Sequence, residues 1–117
     1  MRVLVCKDSE FAPGTVRSVA IGRTPVVIVR THGGSLHAFH GCCPHQGGAL
    51  GAGCLRGTTL PSDPGVYRYG REGEILRCPW HGFEFDVVSG RCVADPERLR
   101  LHPFAAFMDG DDVVVET

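Results

Sequence analysis

The chain lacks an excess of positive charge. It holds 12 Lys and Arg against 13 Asp and Glu, for a formal charge of −1 at pH 7, and nowhere gathers its basic residues into a cluster. A general nucleic-acid binder needs a basic face to neutralise phosphates, so no nucleic-acid partner is expected. Long apolar runs are missing too. No stretch approaches the roughly 20 residues of a membrane span, so no membrane partner is expected. The opening Met1-Arg2-Val3-Leu4-Val5-Cys6-Lys7 has a short apolar core and no small-residue cleavage site after it. It does not read as a signal peptide, and the expectation is a cytoplasmic protein. Helical periodicity is absent as well: no window keeps an apolar helical stripe over three turns. Internal repeats, low-complexity tracts and interdomain linkers are not found, and 117 residues suit one domain, 1–117.

What is present is a series of short strands and tight turns. Thr15 to Ile21 reads as a strand with a turn at Gly22-Arg23-Thr24. Pro25 to Arg30 is rich in β-branched residues and reads as a well-buried strand. Thr31-His32-Gly33-Gly34 turns into Ser35 to Phe39. Tyr67 to Tyr69, a turn at Arg71-Glu72-Gly73, and Glu74 to Arg77 read as a further hairpin. Phe83 to Asp86, Arg91 to Val93, Leu99 to His102 and Val113 to Glu116 complete the series. The fold class expected from this spacing is all-β, a small sandwich or barrel. Residues 52–66 are the least patterned, with Pro61 and Pro64 limiting strand formation, and read as a surface insertion. Charge is uneven: residues 1–58 carry six basic and two acidic side chains, residues 59–117 six and eleven.

Six cysteines are present, but Cys6, Cys42, Cys54 and Cys92 follow no regular spacing. A disulfide framework is therefore not expected, and these four read as free thiols. The other two begin the chemically distinctive motifs, Cys43-Pro44-His45 and Cys78-Pro79-Trp80-His81. Each offers one thiolate and one imidazole. Together they supply the two sulfur and two nitrogen ligands of a Rieske [2Fe–2S] centre, with Cys on one iron and His on the other. Two thiolates cancel the positive charge of the oxidised Fe2S2 core. Four would leave it negative and harder to reduce, which is why His ligation raises the potential. The flanking glycines allow backbone N–H groups to approach the sulfides, and Pro44 and Pro79 stiffen the loops. The same donor set is also available to structural zinc, although zinc fingers usually pair Cys with Cys and His with His.

Cys42 is a poorer ligand candidate than Cys43, because in both loops the ligand Cys directly precedes Pro. His37 and His40 read as ordinary strand residues, as do His32 in its turn and His102 near the end. Trp80, Phe83 and Phe85 read as core and cluster cover rather than as a docking patch.

The segments "CPHQGGAL" and "RCPWHGFEFD" resemble the two cluster loops of Rieske-type proteins, above all the soluble Rieske ferredoxins that feed bacterial oxygenases. The resemblance runs from the strand at Val26 through "SGRC" to the final strand. It implies a small antiparallel β sandwich or barrel with a base subdomain at about 1–39 and 87–117. A cluster-binding subdomain at about 40–86 would then be formed by two loops. By motif match, Cys43 and Cys78 would bind the inner iron of one [2Fe–2S] cluster, and His45 and His81 the outer, solvent-facing iron. The chain departs from respiratory Rieske proteins in two ways. Gly48 and Trp80 stand where those carry a disulfide, and Phe83 stands where they carry a Ser donating to a sulfide. Both departures point to the lower part of the family range of roughly −150 to +300 mV. The gap from His45 to Cys78 is also longer than usual, and 52–66 accounts for it as a surface a partner could read.

The function implied is one-electron transfer from a flavin-dependent reductase to a terminal oxygenase or similar oxidoreductase, with catalysis belonging to the partner. The alternatives are a permanently bound small subunit of a larger oxidoreductase, like that of an assimilatory nitrite reductase, and a zinc-stabilised interaction module. A self-contained oxygenase needs a further 2-His-1-carboxylate iron site. The remaining His residues have no matching carboxylates, so that reading is set aside.

Overall fold

Val26 to Val29 is the run the sequence marks most plainly, and it lies at the centre of the molecule. The computed structural model describes residues 1–42, 49–60, 68–79 and 82–117. Through them run strands β1 (Arg2–Lys7), β2 (Thr15–Ile21), β3 (Thr24–Arg30), β4 (Leu36–His40), β5 (Cys54–Leu60), β6 (Arg68–Arg77), β7 (Glu84–Asp86), β8 (Pro103–Asp109) and β9 (Asp112–Glu116). One sheet has the order β1-β9-β8-β4-β3-β2 and the other β5-β6-β7. The described strand pairings are all antiparallel. The expected all-β class is what is found.

β3 is buried on both faces, which is why it reads as an unbroken apolar run rather than an alternating one. Val26 and Ile28 pack with Ala38, Val113 and Val115 inside the curl of the larger sheet. Val27 and Val29 face the other way and pack with Phe39, Leu50, Leu76, Cys78 and Phe85, most of which belong to the smaller sheet and the loops around it. Each of these buried aliphatic side chains contributes on the order of 1.5–3 kcal/mol, before the entropy of ordering it is set against that. The turn after β3 is closed by Thr31, whose N–H donates to the Ser35 carbonyl at 2.9 Å. The Thr31 hydroxyl in turn accepts the Ser35 N–H at 3.1 Å.

Several expectations are corrected. Residues 68–70 and 75–77 do not form a hairpin with each other. Both belong to β6 and pair with β5, Leu60↔Arg68 to Thr58↔Gly70 and then Arg56↔Ile75 to Cys54↔Arg77. Residues 71–74 are the extra length of a bulge, where Gly73 takes a φ of 80°. The stretch 52–66 is not all strandless insertion, since Cys54–Leu60 is β5; residues 61–67 lie outside the described set. Arg91 to Val93 and Leu99 to His102 make only the isolated bridges Phe85↔Cys92 and Arg91↔Arg100. β1 and β8 are strands that the sequence pattern does not mark.

His37 lies opposite Val29 on β4 and is partly buried. Burial pushes its imidazole below the ordinary 6.5, with Asp86 and Glu74 partly opposing that. The unfolded chain then binds more protons here than the folded one. The stabilisation is whole above the ordinary value and is lost as pH falls through the depressed one. His37→Gln is expected to flatten the melting temperature between about pH 7 and 5. Parallel Tm–pH curves for variant and parent would assign that slope to other groups.

Candidate metal centre

The first loop leaves β4 at His40. Gly41 N–H donates to the Pro25 carbonyl at 2.8 Å, and Leu50 N–H returns to the Gly41 carbonyl at 2.9 Å. Cys42 bridges Ala49 between these bonds. The described ends of this loop, 41–42 and 49–50, thus form a short two-stranded root. His40 has a role the sequence reading missed: its Nδ1 accepts the Cys42 N–H at 3.3 Å, at the mouth of the loop. The loop leaves through a 3-10 turn, Leu50–Ala52, in which Leu50 is fully buried.

The second loop joins β6 to β7. Cys78 N–H donates to the Phe83 carbonyl at 2.8 Å, closing the loop at its base. Gly82 has a φ of 72°, a left-handed conformation that favours glycine. A Cβ built there would lie 2.6 Å from Arg77 Nη2, so the guanidinium rests directly on the glycine backbone. The roots of the two loops touch. Cys54 pairs with Arg77, and a Cβ built on Gly53 would collide with the Arg77 carbonyl oxygen. Only a residue without a side chain lets those two backbones approach so closely. No turn or motif in the sequence signals this contact.

Of the predicted ligands, Cys78 is described. Its side chain is fully buried and free, in one cluster with Leu50, Phe85, Val87 and Cys92. Cys43, His45 and His81 lie outside the described residues, as does Trp80. Cys43 follows the bridged Cys42, and His81 precedes Gly82. Cys42 is exposed, and Cys6 and Cys92 are buried free thiols, as expected. Phe85 is fully buried and Phe83 packs partly against the same cluster, in line with the core reading.

A bound group fits this arrangement. A buried, unpaired thiol stands at the base of one loop, and the other loop's exit residue, Leu50, shares its apolar surroundings. Soft thiolate and imidazole donors suit an iron–sulfur cluster or zinc. Leu50 and Phe85 make the surroundings of the Cys78 thiol apolar, and such a shell limits solvent access to a bound group.

The Rieske [2Fe-2S] domain model matches residues 1–105. The ferredoxin component of biphenyl 2,3-dioxygenase from Rhodococcus jostii (strain RHA1) is 27% identical over 112 residues, covering 96% of this chain and 89% of that protein. Ferredoxin CarAc of Metapseudomonas resinovorans is 28% identical, covering 95% and 89%. Among solved structures, a chain in a complex of reduced oxygenase and oxidised ferredoxin of carbazole 1,9a-dioxygenase matches with a TM-score of 0.74 and 26% identity. It covers 97% of this chain and all of that one. The chain spans only 16% of human apoptosis-inducing factor 3, to which it is 31% identical. A protein described as a nitrite reductase small subunit from Mycobacterium tuberculosis shares the fold, with a TM-score of 0.74 at 19% identity.

Proposed function

Because this chain belongs to the Rieske [2Fe–2S] domain family, we propose that it is a one-electron carrier, taking an electron from a flavin-dependent reductase and passing it to a terminal oxygenase or similar oxidoreductase. The family implies one [2Fe–2S] cluster, which when bound stores a single electron at a higher potential than an all-thiolate cluster would. Cys43 and Cys78 would hold it by thiolate, and His45 and His81 by imidazole. The residues around the second loop shape that site. The base of the loop is held by the Cys78–Phe83 backbone bond. Phe83 itself brings no hydroxyl donor, which keeps the expected potential low in the family range. Leu50, Phe85 and Val87 exclude water from the Cys78 side. The base subdomain would be residues 1–39 and 87–117, and the cluster-binding one 40–86.

The observation that carries this reading is the common root of the two loops, with the Cys78 thiol buried beneath it. The near full-length likeness to ferredoxin components supports the carrier role over a part of a larger enzyme. The fold likeness to a nitrite reductase small subunit keeps a second reading, a permanently bound subunit. Among the described residues no helix is long and apolar enough to cross a membrane, and we place the carrier in the cytoplasm.

The test is electron paramagnetic resonance on anaerobically purified, dithionite-reduced protein, with iron and zinc quantified in the same sample. A rhombic Rieske-type signal with about two irons per chain is expected. Zinc without that signal, persisting after attempted iron reconstitution, would replace the carrier with an interaction module. Co-purification of a stoichiometric partner would favour the bound-subunit reading.

A further inference from the structure

Arg77 meets both loops. It directly precedes Cys78 at the end of β6, and neighbours on a strand point to opposite faces. Cys78 is buried and Arg77 is exposed. The Arg77 side chain nevertheless returns to the second loop. Its Nη2, Nε and Cζ stand 2.6, 2.9 and 3.1 Å from where a Cβ on Gly82 would be. Three atoms of one planar group at such similar distances place the guanidinium along the glycine, not end-on to it. Gly82 leads into Phe83, whose carbonyl accepts the Cys78 N–H at 2.8 Å. The guanidinium therefore sits on the stretch of backbone that closes the loop onto Cys78. The Arg77 carbonyl oxygen, in turn, is the atom a Cβ on Gly53 would strike, at the exit of the first loop.

The charge of Arg77 is not taken up by an ion pair. Glu84 lies opposite it on β7, but Glu84 is engaged by Arg56 at 3.6 Å. Among the described residues no carboxylate pairs with the Arg77 guanidinium. Arg30 is the contrast. Its Nη1 donates to the Phe11 carbonyl at 2.9 Å and meets the Asp8 carboxylate at 2.6 Å, so its charge is spent on holding the fold. Lys7 is likewise paired, with Asp112 at 2.6 Å, beside the turn between β8 and β9. That turn is remote from the loops: β8 leaves Phe39 at Pro103 and runs seven residues, roughly 20 Å, to reach it.

We propose that Arg77 tunes the metal centre: its guanidinium, held over Gly82, favours the reduced state of the group bound at Cys78. The proposal rests on the electron-carrier reading and adds a residue that sets the potential. Reduction places one more negative charge at the second loop's donors, and a fixed cation on that loop lowers the energy of that charge. The glycine at position 82 then has two uses. It takes the left-handed φ of the turn, and it leaves room for the flat cation against the backbone. The effect opposes the lack of a hydroxyl donor at Phe83, so the potential stands above what that absence alone would give.

The test is a redox titration of the cluster-loaded protein, followed by its visible spectrum, at low salt and again near 1 M salt. Arg77→Gln is expected to lower the equilibrium constant for reduction about fivefold at low salt, roughly 40 mV for a one-electron couple. The difference should shrink near 1 M salt, where the screening length falls to about 3 Å. Arg77→Lys keeps the charge and should stay within about twofold of the parent. Lys7→Gln removes the same charge at the remote turn and should also shift the constant less than about twofold. If Arg77→Gln holds too little iron to titrate, Arg77→Met, whose stem still covers Gly82, takes its place with the same expected shift. Equal losses in Arg77→Lys and Arg77→Gln, or an equal response to Lys7→Gln, overturn the proposal. Loss of iron from both neutral variants overturns it too, since Arg77 would then be a support of the loop and not a control on its potential. Absence of the Rieske-type signal in the unmodified protein overturns the carrier reading beneath it, a distinct result seen before any titration.

Discussion

Cys78→Ser is expected to yield protein with at least about tenfold less iron and no visible cluster absorption, since even residues that only support a ligand change metal affinity 10–100-fold. Cys43→Ser and His81→Ala should do the same. Cys42→Ser should leave the spectrum largely intact. Cys42 is exposed, and its bridge to Ala49 uses only backbone, so removing its sulfur leaves the root of the loop in place. Cys78 is the reverse case. Its side chain is fully buried among apolar groups, where serine offers a harder donor and a hydroxyl costly to bury. Iron analysis and visible spectra of the four variants check the assignment. Bleaching by Cys42→Ser with retention by Cys43→Ser would mean that the ligand register of the first loop is wrong by one residue.

Phe85→Ala is expected to be the most damaging apolar substitution. Phe85 is the largest fully buried side chain among the described residues. It lies in the cluster shared by Val27 and Val29 of the larger sheet, Leu76 of the smaller one, and Cys78. Emptying such a site costs about 3–5 kcal/mol, a large part of the roughly 5–15 kcal/mol that holds a domain folded. A fall in melting temperature of at least about 10 °C follows. Cluster bleaching should accompany unfolding at the same temperature, because Phe85 and the Cys78 thiol share one packed region. Val88, 60% exposed in the turn two residues beyond β7, serves as the comparison, since Val88→Ala should move stability by less than about 0.5 kcal/mol. A Phe85→Ala protein melting within a few degrees of the parent would remove Phe85 from the centre of the fold.

The contrast between β3 and the strands that were missed has a physical basis. β3 is apolar on both sides because both sides are covered, so its composition alone identifies it. β1 is an edge strand with a bulge between Leu4 and Cys6. The bulge breaks the two-residue alternation, leaving Val3 and Val5 half-buried, Cys6 buried and Leu4 exposed. β8 begins with Pro and continues Phe-Ala-Ala-Phe-Met, weak strand formers apart from the aromatics. It is held by β9 along its length and by β4 at only two positions. Local pattern favoured the alternating Leu99 to His102, while tertiary pairing placed the strand immediately after it. The error at Arg71-Glu72-Gly73 is of another kind. The glycine there signals a hairpin turn, and the chain uses it as a bulge within one strand. The candidate ligands were legible because thiolate and imidazole at short spacing identify a donor set by themselves. The Gly53–Arg77 and Arg77–Gly82 contacts were not legible, because they join residues remote in sequence through backbone shape.

That bulge divides the β5–β6 ribbon into two spans. The inner one, residues 54–56 with 75–77, is the ladder on which both loops are seated; the outer one, 58–60 with 68–70, lies beyond it. The bulge itself is seated on the body of the protein, since Gly73 lies against the His32 ring. Changes in the outer span are therefore expected to stop at the bulge, while the inner ladder and the Gly53–Arg77 contact continue to hold the two loop roots together.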